Sequence, residues 1–176
     1  MAYHAPDGLS VGHIHLKVSD LDKSIAFYRD VLGLKLRQKM GDQAAFLSAG
    51  GYHHHVALNT WFSKGGVTPA QGMTGLFHAA FLYPTRQHLA DAVQNVIDAG
   101  VPLDGASDHG VSQAVYFRDP DGNGIELYVD HPRNQWPQTS DGALAMVTKR
   151  LDLDDLLQLA VHRKDQSESG PLNHTT

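Results

Sequence analysis

The sequence predicts an α+β fold made of two tandem βαβββ modules around a shared cleft. One observation is the order of strand, helix and three strands, which occurs twice along the chain. A second is the spacing from the first-strand histidine to the glycine that ends the helix, which is nearly the same from His13 to Gly33 as from His78 to Gly100. A third is the segment 62–75, which is rich in Gly, Ser, Thr and Pro and separates the two copies as a linker.

The first module opens with a strand-like segment. In residues 12–18, two histidines and a lysine alternate with isoleucine, leucine and valine, which is the period of a strand with one apolar face. A helix is predicted directly afterwards, because Ser19 or Asp20 can cap its start and Gly33 can end it in a left-handed turn. The turn signals GD and AGG then separate three predicted strands, at 34–39, 44–48 and 53–60.

The second module repeats this order. The strand LFHAAFLY begins at Leu76, Thr85 can cap a helix that stops at Gly100, and the turn DPDGNG joins the last two strands. The three strands that follow the helix are predicted at 101–104, 112–118 and 124–129.

We therefore expect one domain over residues 9–131, followed by a C-terminal extension over 132–163. The segment LDLDDLLQLAVHR (151–163) has apolar residues suited to a short docking helix. The polar residues 164–176 are expected to form a disordered tail. Within the domain, module one covers 9–61, the linker 62–75 and module two 76–131.

Composition limits the classes of function. The net charge is -5 without a basic block, so neither nucleic acid nor a membrane is an expected partner, and a small molecule is favoured. The absence of cysteine excludes disulfides and thiolate metal sites, so a metal would need nitrogen and oxygen ligands. There is no signal-peptide pattern and no apolar run of about 20 residues, from which we expect a cytoplasmic protein.

Repeat-related positions predict a metal-binding cleft. His13 and His78 lie on the first strands of the two modules, and Ala57 and Glu126 occupy matching places in VALN and IELY on the last strands. Two histidines and one carboxylate leave several positions open on a divalent ion such as Fe(II), and the small Ala57 leaves space where a fourth ligand could lie. The residues alone leave open the alternative that these are half-exposed surface side chains.

Two longer motifs resemble a known family. GHIHLKVSDLDKSIAFYRDVLGL and DPDGNGIELYVD are similar to the vicinal oxygen chelate superfamily, which includes glyoxalase-type isomerases, fosfomycin and bleomycin resistance proteins and extradiol ring-cleaving dioxygenases. The resemblance covers residues 9–131. Within the superfamily, HHHVALN, DHGVSQAVYFRDPDGNGIELY and GALAMVTKRLDLDDLL look most like the catechol 2,3-dioxygenase branch.

The resemblance implies an extradiol dioxygenase of aromatic catabolism, which opens a catechol-type aromatic diol with O2 at Fe(II), although Mn(II) or another divalent metal accepts the same ligands. By that likeness the metal ligands are His13, His78 and Glu126. His54 matches the family's acid-base histidine, and His109 and Tyr116 match residues that orient the substrate. The expected substrate pocket is lined by His15, Ala57, Trp61 and Phe81, with Phe62 as a further candidate.

The position of His54 raises a geometric question. On a regular strand, His54 and Ala57 would point to opposite faces of the sheet. His54 then reaches the cleft only if the strand is bulged or twisted, and His53 and His55 are the alternatives.

Other activities of the superfamily are alternatives. A glyoxalase-type isomerase usually holds Zn or Ni with four protein ligands, which Ala57 in the fourth position disfavours. A fosfomycin-type thiol transferase uses three ligands but needs a cationic pocket, and Lys and Arg are sparse near the predicted site. A non-catalytic drug-binding resistance protein would typically lack the metal ligands. Exposed strand edges in such paired modules favour a homodimer.

Overall fold

The protein is described here by a computed structural model that covers residues 2–168. The chain divides into two compact units, Met1–Met73 and Thr74–Thr176. The boundary falls inside the segment 62–75 that the sequence predicts as a linker. Over the described residues, each helix is too short or too polar to cross a lipid bilayer.

The first unit has the predicted order of strand, helix and three strands. Its sheet has the strand order β1-β4-β3-β2, in which β1 and β4 are parallel and the other neighbours are antiparallel. The elements are β1 Ile14–Lys17, α1 Leu21–Ala26 with a π-helical turn at Phe27–Val31, β2 Lys35–Met40, β3 Ala44–Ser48 and β4 Val56–Asn59. The last strand begins three residues later than predicted, because residues 53–55 precede its first paired residue.

The helix of the first unit begins and ends as the sequence indicates. The Asp20 side chain accepts a hydrogen bond from Lys23 N at 3.0 Å, which caps α1. Gly33 has a φ of +72°, the left-handed conformation that ends a helix readily only at glycine. Leu21 and Ile25 are buried on α1, and Leu47 is fully buried on β3. The helix therefore covers one face of the sheet and leaves the other face available for a site.

The second unit repeats this order and extends it. Its sheet has the order β5-β8-β7-β6-β9, with β5 and β8 parallel. The elements are β5 Ala79–Leu82, α2 Arg86–Asp98, β6 Leu103–Asp108, β7 Ser112–Arg118, β8 Gly124–Asp130, a 3-10 turn at Arg133–Gln135, β9 Lys149–Arg150 and α3 Leu153–Glu168. Thr85 caps α2 by accepting from His88 N at 3.2 Å, as predicted. The prediction for β6, 101–104, was too short, because pairing with β7 continues to Asp108.

The C-terminal extension is part of the second unit. The strand β9 pairs with the end of β6, and α3 is attached to α2 by two side chains of that helix. Gln87 Nε2 donates to the Leu159 carbonyl at 2.9 Å, and Arg86 forms an ion pair with Asp155 at 2.7 Å. The helix α3 continues to Glu168, past the predicted end at residue 163, and the rest of the predicted tail, 169–176, lies outside the described residues.

Candidate active site

His78 and Glu126 lie side by side in the second unit. The register of β5 and β8 pairs Ala80 with Glu126, and His78 lies two residues before Ala80, so the three side chains share a face of the sheet. His78 Nε2 is 2.8 Å from Glu126 Oε2, and only 11% of the glutamate side chain is exposed. The fold therefore brings together a nitrogen and an oxygen donor from two repeat-defined positions.

Gly124 permits this close approach. It begins β8, and a Cβ at this position would lie 2.1 Å from the carbonyl oxygen of Phe77 and 3.1 Å from His78 Cβ. No side chain can occupy that space unless the segment that carries His78 moves away from β8. Gly124 is not among the predicted site residues, although its place at the end of DPDGNG and at the start of the last strand was a usable signal.

The donor atoms of this pair fit two neighbouring positions on one divalent ion. Two ligand atoms about 2.1 Å from a common ion and at right angles are about 3 Å apart, close to the observed 2.8 Å. The other ring nitrogen, His78 Nδ1, is buried without a hydrogen-bond partner, whereas a metal-binding histidine usually donates a bond there. Among residues 2–160, whose side chains the structure describes, no three histidine or acidic side chains are gathered as a complete metal site. His13 belongs to the first unit, and its part in metal binding stays a prediction.

Tyr116 and His109 extend the contact between His78 and Glu126 into a chain of four residues, all of which are predicted site residues. Tyr116 on β7 is paired with Glu126 on β8, and its hydroxyl lies 3.2 Å from Glu126 Oε1. The same hydroxyl lies 2.8 Å from His109 Nε2. Burial, followed by the negative charge of Glu126, raises the pKa of Tyr116 to about 12. The phenol therefore keeps its proton at neutral pH and serves as a hydrogen-bond donor.

In the first unit, His54 is the member of the triple histidine that reaches His13. The ring centroids of His13 and His54 are 4.4 Å apart, and His54 also contacts Phe46 at 5.2 Å. His55 instead bonds through Nδ1 to Ser48 Oγ at 2.9 Å. Because β4 begins only at Val56, the alternation of a regular strand does not extend to His54. His54 therefore lies beside His13 without a bulge in β4.

The environment of His54 favours its neutral form. Desolvation, followed by the charges of His13 and His53, lowers the pKa of His54 below its ordinary value. His53 Nδ1 lies 2.8 Å from His54 Nδ1, so one of these two nitrogens carries the shared proton. A neutral imidazole beside His13 can accept a proton from a bound molecule.

His15 and Ala57 are directly paired in the parallel register of β1 and β4. Asn59 Nδ2 donates to His15 Nε2 at 2.9 Å, and the Trp61 ring lies 5.5 Å from the His15 ring. Desolvation, followed by the charge of His13, lowers the pKa of His15. Asn59 is not among the predicted site residues, although it lies two residues after Ala57 and so on the same face of β4.

Two predicted pocket residues lie elsewhere. Phe81 is paired with Leu127 and alternates with Ala80, so it lies on the opposite face of the second sheet from Glu126. Phe62 is 90% exposed, and Trp61 is half exposed. Of the aromatic candidates, Trp61 alone contacts a predicted site residue among those the structure describes.

Comparison with known proteins identifies the family. A model of the Glyoxalase/Bleomycin resistance protein/Dioxygenase superfamily matches residues 10–127. The chain belongs to this superfamily. A solved structure of a glyoxalase/dioxygenase from Nostoc punctiforme is similar over 75% of this chain and 99% of that chain, with 25% identity and a TM-score of 0.59. The paired βαβββ architecture predicted from the sequence is therefore confirmed.

Similar curated members of the superfamily include two dioxygenases. A catechol-2,3-dioxygenase of Bacillus subtilis is 38% identical over 85% of this chain and 52% of its own length. Biphenyl-2,3-diol 1,2-dioxygenase 3 of Rhodococcus globerulus is 34% identical over 69% of this chain and 63% of its own length. The chain thus spans between half and two thirds of these relatives. A glutathione transferase, FosA, of Serratia marcescens is 31% identical over 68% of this chain and 80% of its own length.

Proposed function

We propose that this superfamily member is an extradiol ring-cleaving dioxygenase that opens a catechol-type aromatic diol with O2. Two relatives whose names describe dioxygenases of catechol and biphenyl-2,3-diol support the proposal. The observation that carries it is the chain from His78 through Glu126 and Tyr116 to His109. It combines two candidate metal ligands with an uncharged phenol and an imidazole beside them.

We propose that His13, His78 and Glu126 hold the divalent metal, Fe(II) or Mn(II). The support is that His13 and His78 occupy equivalent places before the first strands of the two repeats, while Glu126 replaces the alanine of the first repeat. When bound, a redox-active metal with three protein ligands supplies positions for the diol oxygens and for O2, and a path for electrons between them.

The protein residues would then bind the diol and move its protons. His54 is neutral near pH 7 because its pKa is lowered, so it can accept the proton of a diol hydroxyl and return it to the cleaved product. The Tyr116 hydroxyl, with its high pKa, keeps its proton throughout the cycle. His109 orients that hydroxyl from the other side.

The walls of the proposed substrate pocket follow from the first unit. Ala57 leaves space beside His15, and Phe46 and Trp61 offer aromatic surfaces near the same face. Such a surface suits a flat aromatic ring whose hydroxyls point toward imidazoles. A homodimer is a further expectation, which size-exclusion chromatography with light scattering would test.

The decisive experiment is anaerobic purification of the full chain, loading with Fe(II) or Mn(II), and measurement of O2 uptake with catechol, methylcatechols and 2,3-dihydroxybiphenyl. We expect uptake with at least one diol, together with the yellow absorption of a ring-opened semialdehyde. If the metal binds but no diol causes uptake, the dioxygenase proposal is wrong, and thiol transfer to an epoxide becomes the activity to assay.

A further inference from the structure

The C-terminal strap, which we define as residues 137–151, runs along the hairpin that carries His109. Its first part folds back on itself, with Ala145 N–H donating to the Pro137 carbonyl at 2.9 Å. Its last part is β9, which pairs with the end of β6. His109 follows β6 directly. The strap is therefore anchored on both sides of the point at which it passes His109.

At that point Val147 contacts His109 twice. The Val147 N–H donates to the His109 carbonyl at 3.0 Å, and the Val147 carbonyl oxygen lies 3.1 Å from His109 Nδ1. The neighbouring residue, Gly110, packs so closely that an added Cβ would lie 2.9 Å from Pro137 Cγ and 3.2 Å from Val147 Cγ2. The backbone at His109 and Gly110, the backbone at Val147 and the His109 ring are therefore held in one fixed arrangement.

The contact with Val147 decides which nitrogen of His109 carries the proton. A carbonyl oxygen only accepts hydrogen bonds, so His109 Nδ1 must be the donor. In a neutral ring Nε2 then has a free electron pair, which accepts from the Tyr116 hydroxyl 2.8 Å away. A phenol has one proton, so a Tyr116 hydroxyl that donates to His109 does not donate to Glu126 Oε1 at 3.2 Å.

We propose that the C-terminal strap is a positioning element of the active site. The Val147 carbonyl holds His109 in its Nδ1–H tautomer, and His109 thereby turns the Tyr116 proton away from the Glu126 carboxylate. Glu126 Oε1 then accepts no hydrogen bond from the phenol, and His78 keeps its contact with Glu126 Oε2. With the opposite tautomer, His109 Nε2–H would donate to the Tyr116 oxygen, and the phenol proton would go to Glu126. The link to catalysis rests on the proposed function, whereas the tautomer does not.

The first test reads the tautomer directly. The full-length protein is labelled with ring-15N histidine, and long-range proton–nitrogen NMR spectra are recorded at a pH at which the His109 ring is neutral. The signals of His109 are assigned by their loss in H109Q. We expect the pattern of an Nδ1–H ring, and an Nε2–H ring in the wild-type protein would overturn the proposal.

The second test alters the strap. V147P removes the N–H that bonds to the His109 carbonyl, and V147A is the matched control that keeps it. We expect V147P to shift His109 toward a mixture of tautomers and to lower kcat about tenfold with KM changed less than about twofold, the lower end of what loss of an outer hydrogen bond costs an active site. Wild-type tautomer and kcat in V147P, or equal losses in V147A, would contradict the proposal.

Thr148 provides a third arm that does not depend on the folding of V147P. Its hydroxyl lies 3.3 Å from His109 Nδ1 and is the competing partner of that nitrogen. Because we propose that the Val147 carbonyl fixes the tautomer of His109, T148V should retain the Nδ1–H tautomer. If T148V changes the tautomer, the hydroxyl and not the carbonyl sets it. A correct tautomer in a protein that turns over no diol would leave the strap assignment standing and reject only the proposed function.

Discussion

The two modules differ in which strand of the parallel pair carries the polar side chain. In the first, His15 on β1 is paired with Ala57 on β4, whereas in the second Ala80 on β5 is paired with Glu126 on β8. Each pair joins one large polar side chain to one alanine. Each parallel strand pair therefore offers a single polar group at this position. Duplication has therefore given a sheet face rich in imidazole in one copy and a face with a carboxylate in the other.

The strands next to β4 and β8, which are β3 and β7, also differ between the modules. Phe46 is paired with Ala57 in the first sheet, and Tyr116 is paired with Glu126 in the second. The ring that faces a carboxylate carries a hydroxyl that can bond to it, and the ring that faces alanine carries none. In these two pairs, the ring carries a hydroxyl where the residue on the paired strand is a carboxylate and none where it is alanine.

The largest expected effect follows from making the second module like the first. E126A removes the carboxylate that His78 and Tyr116 face, and should weaken metal binding by more than about 100-fold, since loss of even an outer-shell partner costs up to that amount. Metal analysis after dialysis and O2 uptake measure the two consequences. D130N, at the exposed end of the same strand, is the control and should keep both. Retention of metal and turnover in E126A would remove Glu126 from the site.

The second effect separates proton transfer from metal binding. H54A should keep the bound metal and lower turnover by about 100-fold to 10,000-fold, the range for loss of a general acid-base group. H88A is the control, because His88 is an exposed histidine on α2 in the second unit. If H54A loses the metal as well, His54 is a ligand and the two modules differ less than we propose.

The third effect tests the close approach that the second module requires. The residue equivalent to Gly124 in the first module is His55, so the first repeat accepts a side chain there. G124A should reduce the free energy of unfolding by about 1–3 kcal/mol, as overpacking does, and should lower metal affinity by displacing His78. Thermal unfolding and metal titration measure both. G105A, whose added Cβ meets nothing within 4 Å, should change neither.

The smallest effect comes from giving the second module the ring of the first. Y116F removes the hydroxyl between His109 and Glu126 and should destabilise the protein by about 1 kcal/mol, the net value of a hydrogen bond. Turnover should fall about tenfold while metal binding stays, because the phenol lies beside the proposed metal ligands without being a ligand itself. Unchanged turnover in Y116F would show that the hydroxyl takes no part in the reaction.

The repeat made much of this arrangement predictable. The alternation in residues 12–18 and the matching place of His78 predicted both first strands. The matching places of Ala57 in VALN and of Glu126 in IELY predicted that these two residues are equivalent. These are local patterns that the backbone reproduces. The prediction for Phe81 rested only on its closeness to His78 in sequence, whereas the alternation of β5 puts its side chain on the opposite face of the sheet from Glu126.

Other features depend on tertiary packing and left no local pattern. The start of β4 at Val56 follows from where pairing with β3 ends, and this placed His54 beside His13. The contacts of Val147 with His109 join segments 38 residues apart. No periodicity in residues 137–151 indicates a partner, so only the folded chain identifies the strap.

The short strand β9 also affects how this protein resists aggregation. Edge strands with open backbone groups are templates for pairing between molecules. The first sheet ends in β2, whose sequence KLRQKM places positive charge along its edge, at Lys35, Arg37 and Lys39. The second sheet covers part of its edge with β9 instead. A chain that ended before residue 149 would therefore uncover β6 and be more prone to associate through that edge during expression.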